Sequence, residues 1–233
     1  MRLRDYQEAA AEGVFREWQE HSSALVVLPT GLGKTVLFAD VIRRMHEQGA
    51  RAMVLAHREE LITQAADKIR RVTGLEAQIE MGEYHVTTMF GEMPPVVVST
   101  VQTHCAGGDG AGRMSKFDPQ DFGLVVIDEA HHATAGTYRR CIDWYRQNPN
   151  CKVLGVTATP DRADEAALGA VFESVAYEYG VLQAIQSGWL VPIEQQMVTV
   201  GSLDFSNIRT TAGDLNQGDL AEVMEDERNL QGV

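Results

Sequence analysis

Two clusters in this chain have the residue types and spacing to handle a phosphorylated ligand. The first is Pro29-Thr30-Gly31-Leu32-Gly33-Lys34-Thr35. Its glycines let the backbone turn tightly and approach phosphates without a Cβ in the way. Successive N–H groups and the start of a following helix offer positive partial charge. Lys34 would reach the β- and γ-oxygens of a triphosphate, and the Thr35 hydroxyl would ligate Mg2+. The second cluster, Asp128-Glu129-Ala130-His131, follows the apolar run Leu124-Val125-Val126-Ile127. Mg2+ takes hard oxygen ligands and keeps several waters, so Asp128 would hold it partly through water. Glu129 is then placed to orient and deprotonate an attacking water. On a plainer reading the first cluster is only a glycine turn, and the two acids only favour the start of a helix. The presence of both clusters in one chain favours the chemical reading. His131 and His132 invite a metal, but no cysteine or further histidine stands nearby at zinc-site spacing. A polar relay suits His131 better, with His132 as its neighbour.

Residue pattern indicates what must position these groups. Residues 24–28, 52–56, 96–100, 124–127 and 152–157 are short β-rich runs, apolar throughout, as strands covered on both faces of a parallel sheet are. Between them, residues 34–47, 59–72 and 138–146 carry apolar residues at helical spacing. Repeated βα units with right-handed crossovers predict a doubly wound, mostly parallel α/β sheet in three layers. Asp128 and Glu129 would then lie in the crevice at the strands' carboxyl ends, beside the glycine turn. The glycine-rich stretch 107–112 reads as a connector. Beyond Pro160, residues 163–172 and 181–187 could be helices, and 191–200 a strand leading out of the domain. Gly, Asn, Asp and Thr accumulate from Gly201 onward, and 220–230 is an acidic helical candidate.

Composition narrows the class. The chain has 233 residues, 44% apolar and 23% charged, which suits one globular α/β domain with an appendage. No apolar run approaches the ~18 residues that a membrane span needs, and no signal peptide is visible. Cys105, Cys141 and Cys151 form no Cys-x-x-Cys pair and read as reduced, which implies a cytoplasmic setting. The net charge of −13 is unexpected for a chain that touches nucleic acid. It is unevenly placed: residues 1–160 carry 17 basic and 20 acidic side chains, whereas 161–233 carry 3 and 13. The front part therefore retains room for a local basic face.

Pro-Thr-Gly-Leu-Gly-Lys-Thr, Asp-Glu-Ala-His and Thr157-Ala158-Thr159-Pro160, in this order, resemble the motifs of superfamily 2 DEAD/DEAH-box helicases. Leu28 stands where the general phosphate-loop motif has Gly, which counts against a kinase or GTPase and agrees with the helicase form. Leu3-Arg4-Asp5-Tyr6-Gln7 looks like the element whose glutamine reads adenine. The stretch from Leu55-Ala56-His57-Arg58 to Gln64 and the stretch Ser99-Thr100-Val101-Gln102-Thr103 look like nucleic-acid motifs of the first lobe. The combination is similar to the RadD-like and restriction-translocase-like branch, a bacterial or phage-type setting that acts on DNA in preference to RNA.

The resemblance covers residues 3 to about 200. It implies a RecA-like ATP-binding lobe over 1–200, followed by an acidic segment, 201–233. It also implies that Gln7 selects ATP, with Arg4 near the same base. Pro29, Thr30, Gly31, Leu32, Gly33, Lys34 and Thr35 would hold the nucleotide, and Thr35 and Asp128 the Mg2+. Lys34, Asp128, Glu129 and His131 would serve catalysis. Thr157 and Thr159 would couple phosphate state to the strand that Arg58, Thr100 and Gln102 touch. The plainer readings are a helix-start glutamine, strand-end threonines and a solvated arginine. The basic run Lys68, Arg70, Arg71 reads as a solvated helix face.

Such motors use a second RecA-like lobe that supplies arginine fingers, and no such motif is found in this sequence. The expectation is therefore a chain that binds Mg·ATP, hydrolyses it slowly or not at all by itself, and couples hydrolysis to strand movement when a second lobe is present. An ATP-switched binding or scaffold module is the competing class. A small-molecule kinase fares worst, because it leaves Thr157 and Thr159 unexplained.

Overall fold

The computed structural model describes residues 3–57, 59–88, 92–105, 112–158, 168–194, 210–211 and 214–215. The chain divides into two compact units, Met1–Val191 and Pro192–Val233. In the first unit α1 (Asp5–Glu17) is followed by β1 (Ser23–Val27), α2 (Lys34–Glu47), β2 (Arg51–Ala56), α3 (Glu59–Thr73) and β3 (Ala77–Glu80). Then come β4 (Val96–Thr100), α4 (Val101–Cys105), β5 (Phe122–Asp128), α5 (Gly136–Tyr145), β6 (Lys152–Thr157), β7 (Ser174–Glu178) and α6 (Val181–Gln186). In the second unit Thr210–Thr211 and Asp214–Leu215 form a short antiparallel pair.

Seven strands make one sheet in the order β3-β4-β2-β5-β6-β1-β7. Every pairing in it is parallel. The expected doubly wound α/β fold is therefore observed, and alternation along each strand shows why both faces are apolar. Ala24, Val26, Ala52, Val54, Leu124, Val126, Leu154 and Val156 join a core with Leu37, Phe38 and Ile42 of α2 and Ile62, Ala66 and Ile69 of α3. Their neighbours Leu25, Val27, Met53, Leu55, Val125, Ile127 and Val153 join a second core with Tyr138, Cys141, Ile142 and Tyr145 of α5. Successive strand side chains point to opposite faces, so a run apolar at every position feeds two helical layers at once. Each fully buried Val or Leu contributes roughly 1.5–3 kcal/mol, which makes the central strands a rigid platform for the loops at their ends.

α1, β3, β7 and the short α4 lie outside the sequence expectation. α1 packs so closely on the edge strand β7 that a Cβ on Gly13 would meet the Ala176 carbonyl oxygen at 2.6 Å. β3 and β7 complete the two edges of the sheet. Residues 191–194, the described start of the expected exit strand, carry no secondary structure. The helix at 163–172 is described only from Leu168 onward. The connector 107–112 is described only at Gly112, and the acidic helix at 220–230 lies outside the described residues.

Candidate active site

The glycine turn leaves β1 and enters α2 as expected. Gly31 and Gly33 have φ of +87° and +75°, a left-handed conformation that favours glycine. Gly33 is the N-cap of α2 and supplies no side chain there, and the helix start at Lys34 and Thr35 lines the crevice. The turn is braced from beneath by α1. The Tyr6 hydroxyl donates to the Leu32 carbonyl at 2.9 Å, and Gln7 Nε2 donates to the same oxygen at 3.0 Å. Gln7 Oε1 accepts the Arg4 N–H at 3.0 Å, and Gln7 is 3% exposed. The structure thus gives Gln7 a bracing position under the loop. Arg4 lies 4.7 Å over the Trp189 ring, which meets Tyr6 edge-on at 5.4 Å.

The carboxylate pair ends β5. Strand β6 lies between β5 and β1, so the acids do not leave a strand adjacent to the glycine turn, as a simple switch-point picture would have it. The loops span that gap: Lys34 Nζ is 3.7 Å from Glu129 Oε1. A crevice of about 410 Å³ is lined by Gly31, Gly33, Lys34, Thr35, Asp128 and Glu129, together with Gln64 and Lys68 of α3. Glu129 is held at φ 54°, ψ 55°, the non-glycine residue with positive φ among the described residues. Backbone strain of this kind costs on the order of 1–3 kcal/mol and persists where the surroundings impose it. Here it turns the Glu129 side chain toward Lys34 while its N–H donates to Asp128 Oδ1 at 3.0 Å. Burial, and then the charge on Glu129, hold the Asp128 carboxyl above its ordinary range, against the Glu129 N–H and Lys34.

His131 links the acids to β6. Its Nδ1 is 3.4 Å from Glu129 Oε2 and 3.1 Å from Thr157 Oγ1. Thr157 is fully buried at the end of β6, between the two clusters. Gln102 Nε2 donates to His57 Nδ1 at 3.1 Å, and both residues line a separate cleft with Glu59, Glu60, Thr100 and Thr103. The Thr100 hydroxyl donates to Thr103 Oγ1 at 2.8 Å and accepts the Thr103 N–H at 3.1 Å, so it caps α4. Arg58 and Thr159 lie outside the described residues.

The sequence pattern places Lys68 with Arg70 and Arg71 on a solvated face. Arg70 does sit there, bonded to Asp67 at 2.9 Å and to the Ala77 carbonyl. Lys68 is exposed too, and it also lines the crevice, a second cation there with Lys34. Helical spacing from Leu61 through Gln64 to Lys68 was the available signal. Among the described residues no group of three or more acids, histidines or cysteines is arranged to hold a metal ion by itself.

The parallel sheet, with a phosphate loop after β1 and an acid pair after β5, defines a RecA-like ATP-binding lobe of the superfamily 2 helicases. The family described as type III restriction enzyme, res subunit, matches residues 1–162, and the chain belongs to it. The Saccharomyces cerevisiae protein IRC3, named as an ATP-dependent helicase, is 32% identical over 95% of this chain and 32% of its own length. The DNA 3'-5' helicase XPB of Mycobacterium tuberculosis is 31% identical over 87% of this chain and 35% of its own. The Pyrococcus furiosus Hef helicase domain superposes with a TM-score of 0.60 at 25% identity, over 75% of this chain and 37% of that one. The chain thus spans about a third of the length of these relatives. Among the described residues no helix is long and apolar enough to cross a membrane.

Proposed function

We propose that this chain is the lobe that binds and hydrolyses ATP in a DNA helicase or translocase, paired in the working protein with a second RecA-like lobe. The observation that carries this reading is the 3.7 Å approach of Lys34 to Glu129 across one crevice. It joins the phosphate-binding cation to the water-orienting carboxylate. The phosphate-loop N–H groups and Lys34 would take the β- and γ-phosphates, with Lys68 as a further cation. Glu129 would orient the attacking water and accept its proton, and His131 would pass the change at Glu129 to Thr157. Gln7 would hold the loop and select adenine.

The site fits Mg2+ carried by the nucleotide. The Thr35 hydroxyl and the Asp128 carboxylate are hard oxygen donors, and two protein donors suit an ion that keeps water and phosphate oxygens. Asp128, held above its ordinary range by burial, is the carboxylate that a divalent cation would most relieve. When bound, Mg2+ supplies charge neutralisation on the phosphates.

DNA as the track is supported by the family and by the named activity of XPB. A cytoplasmic, bacterial or phage-type protein belongs to the same reading. Among the described residues lining the crevice, the cations are Lys34 and Lys68, both lysines. An arginine finger is worth roughly 10³–10⁵ in rate, and in this reading it comes from the second lobe. The test is ATP hydrolysis by the full two-lobed protein with and without duplex DNA, together with displacement of a third strand from a triplex. Hydrolysis stimulated by DNA with strand displacement is expected. Hydrolysis indifferent to DNA would reject the motor reading.

A further inference from the structure

The relay that begins at Glu129 does not stop at Thr157. Sheet order places the carboxyl ends of β5, β2 and β4 side by side. These ends carry, in turn, the acid pair, His57 and the Thr100–Gln102 turn. Glu129 Oε2 lies 3.4 Å from His131 Nδ1. The His131 and His132 rings are 4.1 Å apart, and the His132 and His57 rings are 4.6 Å apart with 33° between their planes. His57 Nδ1 then accepts from Gln102 Nε2 at 3.1 Å. An unbroken run of contacts leads from the crevice to the cleft of about 490 Å³ lined by His57, Glu59, Glu60, Thr100, Gln102 and Thr103.

His132 and His57 are both exposed, so their ring contact serves no core. His132 also belongs to the 3-10 turn Ala130–Thr134, and its N–H donates to the Glu129 carbonyl at 3.0 Å. A change in the left-handed backbone of Glu129 therefore reaches the His132 ring through the main chain as well as through His131. Aromatic pairs at this separation favour particular geometries by about 0.5–1.5 kcal/mol, so a shift of one ring changes the preferred place of the other.

We propose that the contacting, tilted imidazoles of His132 and His57 pass the state of the Glu129 site to the cleft at the ends of β2 and β4, which makes His132 a positioning residue for coupling ATP to DNA. This rests on the motor reading given above. His132 is not needed for hydrolysis itself; it sets how strongly each site feels the other. Coupling between two ligands is reciprocal and typically amounts to about 5- to 150-fold in affinity.

The experiment measures DNA affinity of the full two-lobed protein in the presence of a nonhydrolysable ATP analogue and of ADP, beside ATP hydrolysis without DNA. His132→Ala should bring the two DNA affinities together while leaving nucleotide affinity and DNA-free hydrolysis as in the wild type. His132→Phe, which keeps a flat ring, should restore the difference. The proposal is overturned if His132→Ala keeps the wild-type difference, if it lowers DNA-free hydrolysis in step with coupling, or if the phenyl ring fails to rescue. A wild-type protein whose DNA affinity ignores the nucleotide would overturn the motor reading itself, which is a separate and recognisable result.

Discussion

Gln7 closes the space beside Gly33: a Cβ on Gly33 would lie 2.8 Å from Gln7 Nε2. The first helix and the phosphate loop therefore form a single mechanical unit, although 26 positions separate them in the chain. Gln7 holds the Leu32 carbonyl, and a side chain at Gly33 would crowd the amide that does so.

This contact makes Gly33→Ala a sharp test. The left-handed backbone costs a non-glycine residue about 1–2 kcal/mol, and the added methyl must also push Gln7 aside. Thermal melting should show that loss, and ATP affinity by fluorescent-analogue titration should fall further than melting alone explains. Gln7→Ala should weaken ATP and GTP together if bracing dominates, and ATP alone if base selection does; competition titrations distinguish the two.

Glu129→Gln should leave ATP binding intact, because the amide keeps the shape and still faces Lys34. Removing the group that takes the proton from water should slow single-turnover hydrolysis in the two-lobed protein by about 10²–10⁴-fold. Unchanged hydrolysis would remove Glu129 from the chemistry.

Lys34→Ala should act on binding as well as on rate. A charge-assisted contact to phosphate is worth about 1.5–3 kcal/mol, so affinity for ATP should fall by roughly 10- to 100-fold in isothermal titration. Lys68→Ala should produce a smaller loss in the same direction. An effect of Lys68→Ala equal to zero would return that residue to the solvated face.

Acid should destabilise the first unit in a defined window. Burial pulls the His104 imidazole down to about 4 from its ordinary 6.5, with Glu80 opposing. The folded value lies below the unfolded one, so the unfolded chain takes up the proton first as pH falls. Stability is complete above pH 6.5 and declines toward pH 4, by about 3 kcal/mol in all. Burial alone would raise the buried Glu80 carboxyl, but Lys116, the Val86 N–H and His85 bring it below its ordinary 4.5. Its stabilisation is present above that value and is lost in turn at lower pH. Urea midpoints across pH should show the slope, and His104→Gln should flatten its upper part.

The legible parts of this molecule are those where one physical demand acts alone. Residues 24–28 or 124–127 could hardly be anything other than doubly covered strands, because every position is apolar. β3 and β7 escaped that test because they are edges: Ala77–Glu80 and Ser174–Glu178 each mix polar residues with apolar ones. α1 was hidden by its small inward residues, Ala10, Ala11 and Gly13, whose value lies in close approach rather than bulk. At the site, the convergence of Lys34, Asp128 and Glu129 on one crevice could be read from types and spacing. That β6 intervenes between their strands could not, since strand order is a property of the folded sheet. That Lys68 also borders the crevice, and that His132 meets His57, was hidden for a related reason. Spacing tells which residues share a helix face or a turn, but not what lies opposite.

The left-handed backbone at Glu129 has a consequence for variation at that position. Asparagine and glycine tolerate this conformation far more readily than glutamate does. Replacing Glu129 by either should relax the turn and could raise the melting temperature of a protein that no longer turns over ATP. A stabler protein that has lost hydrolysis is the paired outcome expected if Glu129 serves the chemistry proposed above.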